Sequence, residues 1–324
     1  MENFVKLGNW VKFPLALLVV CIHTVGPELK AGFAVPCFFV MSGYLFFYHS
    51  YGKVSFSFFM KKWSRRLTSL LLPYVLWILL YYFYMRIFES EKLDSIMAGR
   101  NFFSIFWDAN ELASIPLLGP FWYIRDLMKC IIITPIIYYA VRWTKGLIAP
   151  ALLLFYVLAP AYGLYIKWWG NVPVAFFTLG VAITVAVNTD RKLTGWLYLL
   201  VLTFCAVLCY YLAYIHTVWH WQVAQNLYHV VMVMWVFGLA AVAERYSPIK
   251  IPAFLTESSF FIYSVHMFFY TAAFSIVRML HVSGGSRMIA TPLVIAFSLL
   301  TYFILYKYTP KFLSILMGGR IVKK

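Results

Sequence analysis

Lys12 and His23 stand eleven residues apart in the stretch KFPLALLVVCIH. On an α-helix that spacing is three turns plus about 20°, so the two share one face, about 16 Å apart along the axis. Ionisable groups at membrane depth are costly and therefore candidates for function, and an imidazole titrates where it can take a proton from a hydroxyl near neutral pH. The alternative for this pair is a snorkelling lysine and a histidine that packs helices. His266 lies in LTESSFFIYSVH, where Thr256 or Ser258 could cap a helix, Glu257 suits its N-terminus, and the histidine follows eight to ten residues deeper. In GPFWYIRDLMK, Arg125 and Asp126 are neighbours. Adjacent side chains on a helix point about 100° apart, so each is expected to find its partner elsewhere, which suggests a polar cavity facing outward. Ser42 and Gly43 fall near the middle of PCFFVMSGYLFF, where glycine permits close backbone approach and serine can bond across helices. Lys61, Lys62, Arg65 and Arg66 cluster in FMKKWSRRLTSLLLPY. They would hold an anionic head group by charge-assisted bonds, although such clusters also fix topology or touch acidic lipid.

The elements that must position these groups are set by composition. Of 324 residues 63% are hydrophobic and 12% are charged, against roughly 45–50% and 25% in soluble domains. The polar atoms are too few to coat a water-facing surface, which excludes a soluble enzyme, a secreted disulfide scaffold and a disordered tail. Ten spans of about 20 residues would consume most of the apolar side chains. Apolar runs place them near 11–28, 31–48, 67–87, 120–141, 147–166, 171–188, 195–215, 227–243, 254–279 and 290–306. The expected fold is all-α, a polytopic membrane helix bundle of about ten transmembrane helices.

The net charge of +16 reports orientation rather than nucleic acid. With the N-terminus inside, the cytoplasmic segments hold 18 of the 27 basic residues, whereas the opposite-side loop 88–119 carries Glu89, Glu91, Asp94, Asp108 and Glu111. Both termini are thus expected to be cytoplasmic. The first apolar run lacks a small-x-small cleavage site and is read as a retained span. Cys21, Cys37, Cys130, Cys205 and Cys209 all fall in expected spans and read as apolar filler, and no metal site is indicated. His229 falls near the outer end of the eighth span, and His49, His216, His220 and His281 fall in or near loops.

Along the membrane normal the candidates sort into a basic floor at the cytoplasmic side, His23, Ser42 and His266 near the middle, and Arg125 with Asp126 above. A soluble anionic donor could dock below and an acceptor approach from above, with a histidine between them to move the proton.

Over essentially its whole length the chain resembles the acyltransferase-3 family of bacterial integral-membrane acyltransferases. The matches run in order: a basic residue and a histidine separated by ten residues (Lys12, His23); FF-x-x-SG (Phe38, Phe39, Ser42, Gly43); a basic stretch ending in Pro73-Tyr74; Trp-aromatic-x-Arg-Asp-Leu (Trp122 to Leu127); and Ser-x-x-x-Tyr-x-x-His (Ser259, Tyr263, His266). One position departs. Relatives often carry two arginines three apart before Pro-Tyr, whereas here Arg66 is followed by Ser69, and Lys62 with Arg65 supply the basic pair.

The resemblance implies a single membrane acyltransferase domain over 1–324 without an appended soluble domain, in the bacterial cytoplasmic (inner) membrane. It implies transfer of an acyl group, most often acetyl, from acetyl-CoA or another acyl-CoA as co-substrate to a hydroxyl of a sugar or cell-surface glycan. No tightly bound cofactor and no nucleic-acid partner is expected. Under this reading His23 is general base, or forms a transient acyl-histidine. Lys12, Lys62, Arg65 and Arg66 meet the donor phosphates. Ser42, Arg125, Asp126, Tyr263 and His266 bind the acceptor or orient the site. Two other readings stand beside it: a transporter or flippase for a glycan or glycolipid that uses the same polar residues as a path, and a haem held between His23 and His266.

Overall fold

In lipid a backbone N–H or C=O finds no water, so apolar segments must satisfy their hydrogen bonds internally, and helices do so. The computed structural model describes residues 2–26, 29–48, 54–108, 115–166, 170–185, 196–215, 221–247, 251–280 and 286–319; His49, His216, His220, His281 and Glu111 lie outside them. Among these residues the protein is all-α, with no strand. The helices are α1 (Glu2–Thr24), α2 (Ala34–Phe47), α3 (Phe56–Phe88), α4 (Ser90–Met97), α5 (Trp122–Ile132), α6 (Thr134–Trp143), α7 (Ile148–Leu158), α8 (Asn171–Val185), α9 (Trp196–Tyr210), α10 (Trp221–Tyr246), α11 (Ala253–Met279), α12 (Ser286–Tyr308) and α13 (Pro310–Leu316). Large apolar side chains such as Leu197, Leu200, Phe204 and Val207 of α9 and Leu300, Phe303 and Ile304 of α12 are exposed, as lipid-facing surfaces must be.

Among the described residues each expected apolar run contains helix, but fewer than the expected ten spans stand out as full crossings. Six helices are long and apolar enough among the described residues, or seven if the bent pair formed by 134–143 and 148–162 counts as one. The differences have local causes. Helix α2, with 14 residues, rises only about 21 Å, short of a hydrocarbon core about 30 Å thick, and α8 is described for 15 residues, up to Val185. The run at 120–141 is divided at Ile133, with Pro135 in the first turn of α6, and α5 carries Arg125, Asp126 and Lys129. Between α6 and α7, Lys145 (φ 50°) and Gly146 (φ 91°) adopt left-handed backbone, and the chain bends by 110°. In the opposite sense α3 is longer than expected: the basic stretch continues the helix, and Pro73 does not end it.

The described chain divides into two compact units interleaved in sequence. Unit 1 comprises Met1–Leu15, Ala31–Lys62 and Lys129–Thr256; unit 2 comprises Ala16–Lys30, Trp63–Met128 and Glu257–Lys324. Within unit 1, α2 and α7 pack on α8, and α9 packs on α10. The crossing of α2 and α8 is made by glycines on both sides. A Cβ on Gly43 would stand 2.2 Å from the Phe177 carbonyl oxygen, and one on Gly180 2.1 Å from that of Val40. Within unit 2, α13 folds back on α3, where the Trp77 indole N–H donates to the Leu316 carbonyl at 3.0 Å. Helices α11 and α12 meet through Phe261 and Tyr302, whose ring centres are 5.6 Å apart.

Candidate active site

Helix α1 begins and ends earlier than the expected 11–28, and His23 occupies its last turn. The imidazole is half-buried. The adjacent Thr24 is buried, donates to the Val20 carbonyl at 3.0 Å and shares a 2.7 Å hydroxyl–hydroxyl bond with Thr291 of α12. His266, near the centre of α11, is completely buried. Its Nδ1 lies 2.8 Å from the Tyr263 carbonyl oxygen. A carbonyl only accepts, so Nδ1 carries the hydrogen and Nε2 retains its lone pair. That Nε2 is buried and has no hydrogen-bond partner among the described residues. The His23 and His266 ring centres are 5.3 Å apart, with planes tilted by 32°. Two histidines 243 positions apart in the chain therefore share one site in unit 2. The separation is too short for a haem iron between them, because two opposed metal–nitrogen bonds of about 2 Å would hold the ring centres about 6 Å apart or more.

One turn before His266, Tyr263 lies flat on Phe121, with ring centres 5.6 Å apart and planes within 3°. Its hydroxyl donates to the Pro120 carbonyl, and Tyr123 meets its edge at 6.1 Å. On α3, Tyr74 stacks on Phe121 at 5.9 Å and donates to the Phe106 carbonyl. These contacts correct the expected tiers. The segment that opens α5 lies beside the Tyr263 turn of α11 rather than a level above His266.

The expectation that Arg125 and Asp126 find separate partners is also overturned. The Arg125 Nε donates to Asp126 Oδ1 at 2.9 Å, while its Nη1 donates to the Trp107 carbonyl at 2.8 Å. The guanidinium carbon also sits 5.3 Å from the Trp107 ring centre. Neighbouring Cβ atoms do diverge, but the long arginine side chain curls back so that one edge meets the carboxylate and the other reaches the loop. Both residues are buried, which makes the pair a fastening of the 102–108 segment as well as a charge near the site.

The basic candidates separate by unit and exposure. Arg65 and Arg66 belong to unit 2; Arg65 is exposed and Arg66 half-buried. Lys12, Ser42 and Lys62 belong to unit 1 and are half-buried, with the Lys62 ammonium 5.4 Å from the Phe58 ring centre. Along α3, Lys62 stands one turn from both Arg65 and Arg66, which themselves point about 100° apart. Ser69, where relatives often carry arginine, donates its hydroxyl to the Arg66 carbonyl at 3.1 Å. It lies under the turn after α13, and a Cβ on Gly318 would stand 2.1 Å from its carbonyl oxygen.

Four residues of the site escaped the residue-by-residue reading. Phe121 sits inside the GPFWYIRDL stretch without polar chemistry to mark it. Trp107 enters through its backbone, which no motif reports. The Thr24–Thr291 bond joins two residues that nothing in their spacing links.

A helix bundle with large exposed apolar surfaces is a multi-pass membrane protein, and two imidazoles pack together among these helices. A family model described as an acyltransferase domain matches residues 9–307, nearly the whole chain. The protein belongs to the acyltransferase-3 family and is a membrane acyltransferase. No curated protein and no solved structure matches it.

Proposed function

We propose that the protein transfers an acyl group, acetyl foremost, from an acyl-CoA to a hydroxyl of a sugar or cell-surface glycan, using His23 as general base. It acts in the cytoplasmic membrane of a bacterium, with both termini on the cytoplasmic side. The observation that carries the proposal is the half-buried His23 imidazole, 5.3 Å from a second, fully buried one in a chain of acyltransferase ancestry. A His23 nitrogen takes the hydroxyl proton as the oxygen attacks the thioester carbon. The C–S bond breaks, the ester forms, and the departing thiolate recovers the proton as coenzyme A. Arg65 and Arg66 hold donor phosphates by charge-assisted bonds, and Lys12 and Lys62 keep the donor role read from their charge and position. Arg125, bonded to Asp126 and to the Trp107 carbonyl, orients the site together with Asp126 and Tyr263, and Ser42 keeps the acceptor-side role read from its sequence position.

The test is transfer of labelled acetyl from acetyl-CoA to a glycan by purified protein in lipid nanodiscs. His23→Ala should lower the rate by about 10²- to 10⁴-fold while the protein stays inserted and monodisperse. Near-normal transfer in that variant refutes the assignment. A transporter would leave the thioester intact, so unchanged acetyl-CoA beside a translocated glycan would favour that reading instead.

A further inference from the structure

We infer that His266 is a positioning residue that accepts a hydrogen bond from His23 and so completes a relay from the Tyr263 carbonyl through both imidazoles. The inference rests on the acyl-transfer reading for its kinetic consequence but not for its geometry. His266 has no exposed surface and cannot touch a substrate; the half-buried His23 can. The Tyr263 carbonyl engages Nδ1–H of His266 at 2.8 Å, which fixes the tautomer and leaves the Nε2 lone pair as the free end. A buried acceptor without a partner costs about 1–3 kcal/mol, and the group packed beside this one is the His23 ring. A nitrogen–nitrogen bond of about 2.9 Å, with each nitrogen about 1.1 Å from its ring centre, places two imidazoles about 5.1 Å apart. The observed 5.3 Å matches that spacing once a His23 nitrogen is turned toward Nε2.

The chemical consequence follows from which nitrogen is left. When one nitrogen of His23 donates its hydrogen to His266 Nε2, the other carries the lone pair that takes the acceptor's proton. The imidazolium then formed is stabilised by the neutral acceptor behind it, in the way a third group orients a base in hydrolase triads. No net proton moves into His266, and none leaves it.

Two measurements test this in nanodiscs. In protein carrying ¹⁵N-labelled histidine, the His266 Nε2 resonance, identified by its loss in His266→Gln, should read as a hydrogen-bonded acceptor. It should move to the free-acceptor position in His23→Ala. An Nε2 signal indifferent to His23→Ala overturns the pairing, whether or not acyl transfer is detected. In acetyl transfer, glutamine places an acceptor where Nε2 stands and asparagine does not. His266→Gln should therefore retain kcat within about tenfold of wild type, while His266→Asn and His266→Ala lose about 10²-fold at unchanged KM for both substrates. Equal losses in Gln and Asn variants, or a full rate in Ala, mean that His266 only fills space. A wild type that pairs the two rings by NMR but transfers no acyl group refutes the proposed chemistry and leaves the pairing standing.

Discussion

Gly43 faces the Phe177 backbone so closely that a methyl group on it would stand 2.2 Å from that carbonyl oxygen and 3.1 Å from its carbon. The obstruction is backbone, which cannot rotate aside. Gly43→Ala, and likewise Gly180→Ala, should destabilise unit 1 by about 1–3 kcal/mol or more. Gly119→Ala, whose Cβ would meet nothing nearer than an Ile115 methyl at 3.7 Å, should be tolerated. Fluorescence-detected size exclusion after a heat step separates the three, and a Gly43→Ala protein as heat-resistant as wild type would contradict this crossing.

Arg125 serves two acceptors, the Asp126 carboxylate and the Trp107 carbonyl, from a buried position. Removing one partner of a buried pair typically costs about 3–5 kcal/mol. Arg125→Ala should therefore yield little folded protein. Lysine keeps the charge but lacks the planar fork that spans both acceptors, so Arg125→Lys should fold and lose thermal stability. Limited proteolysis within 102–108, faster in Arg125→Lys than in wild type, is the expected mark of an unfastened loop.

Glu89 links the end of α3 to α11 and α4. Thr271 donates to its Oε1 at 2.7 Å and Lys92 pairs with Oε2 at 2.7 Å. Burial pushes its carboxyl pKa up, but the hydrogen bonds from Lys92 and Thr271 and the Lys92 charge outweigh that and hold it below 4.5. The folded value thus lies below the unfolded one, so this stabilisation is fully present above about pH 4.5 and fades as pH falls through the folded value. Melting temperature should drop on acidification more in wild type than in Glu89→Gln; parallel pH curves would show that Glu89 contributes nothing.

Charge at the entrance to α3 should govern the donor. Reversing Lys62 and Arg65 to glutamate should raise the KM for acetyl-CoA about tenfold or more and leave acceptor preference unchanged, since a charged hydrogen bond is worth about 1.5–3 kcal/mol. Arg66→Glu should be the more damaging single change, because Arg66 is half-buried where Arg65 is exposed. Donor KM values in the three variants decide it.

The helices were legible wherever the cause is local. Apolar runs, basic loops and the glycine at 43 each state their role in a few consecutive residues, and the family motifs add the register. What could not be read is side-chain reach and chain breakage. His23 and His266 announce depth, not proximity, because nothing in either helix says which neighbour it faces. Arg125 and Asp126 look divergent when judged by Cβ direction, and only the flexed arginine side chain joins them. The ten-span expectation treated each apolar run as a full crossing. In the structure α2 is too short for that, and the 120–141 run is broken at Ile133 between α5 and α6.

The Thr24–Thr291 bond has a mechanical outcome. It rivets the tip of α1 to α12 one residue beyond His23, so the imidazole cannot travel by fraying or sliding of its own helix. Its swing is confined to two side-chain torsions, and reactants must be delivered to a stationary ring.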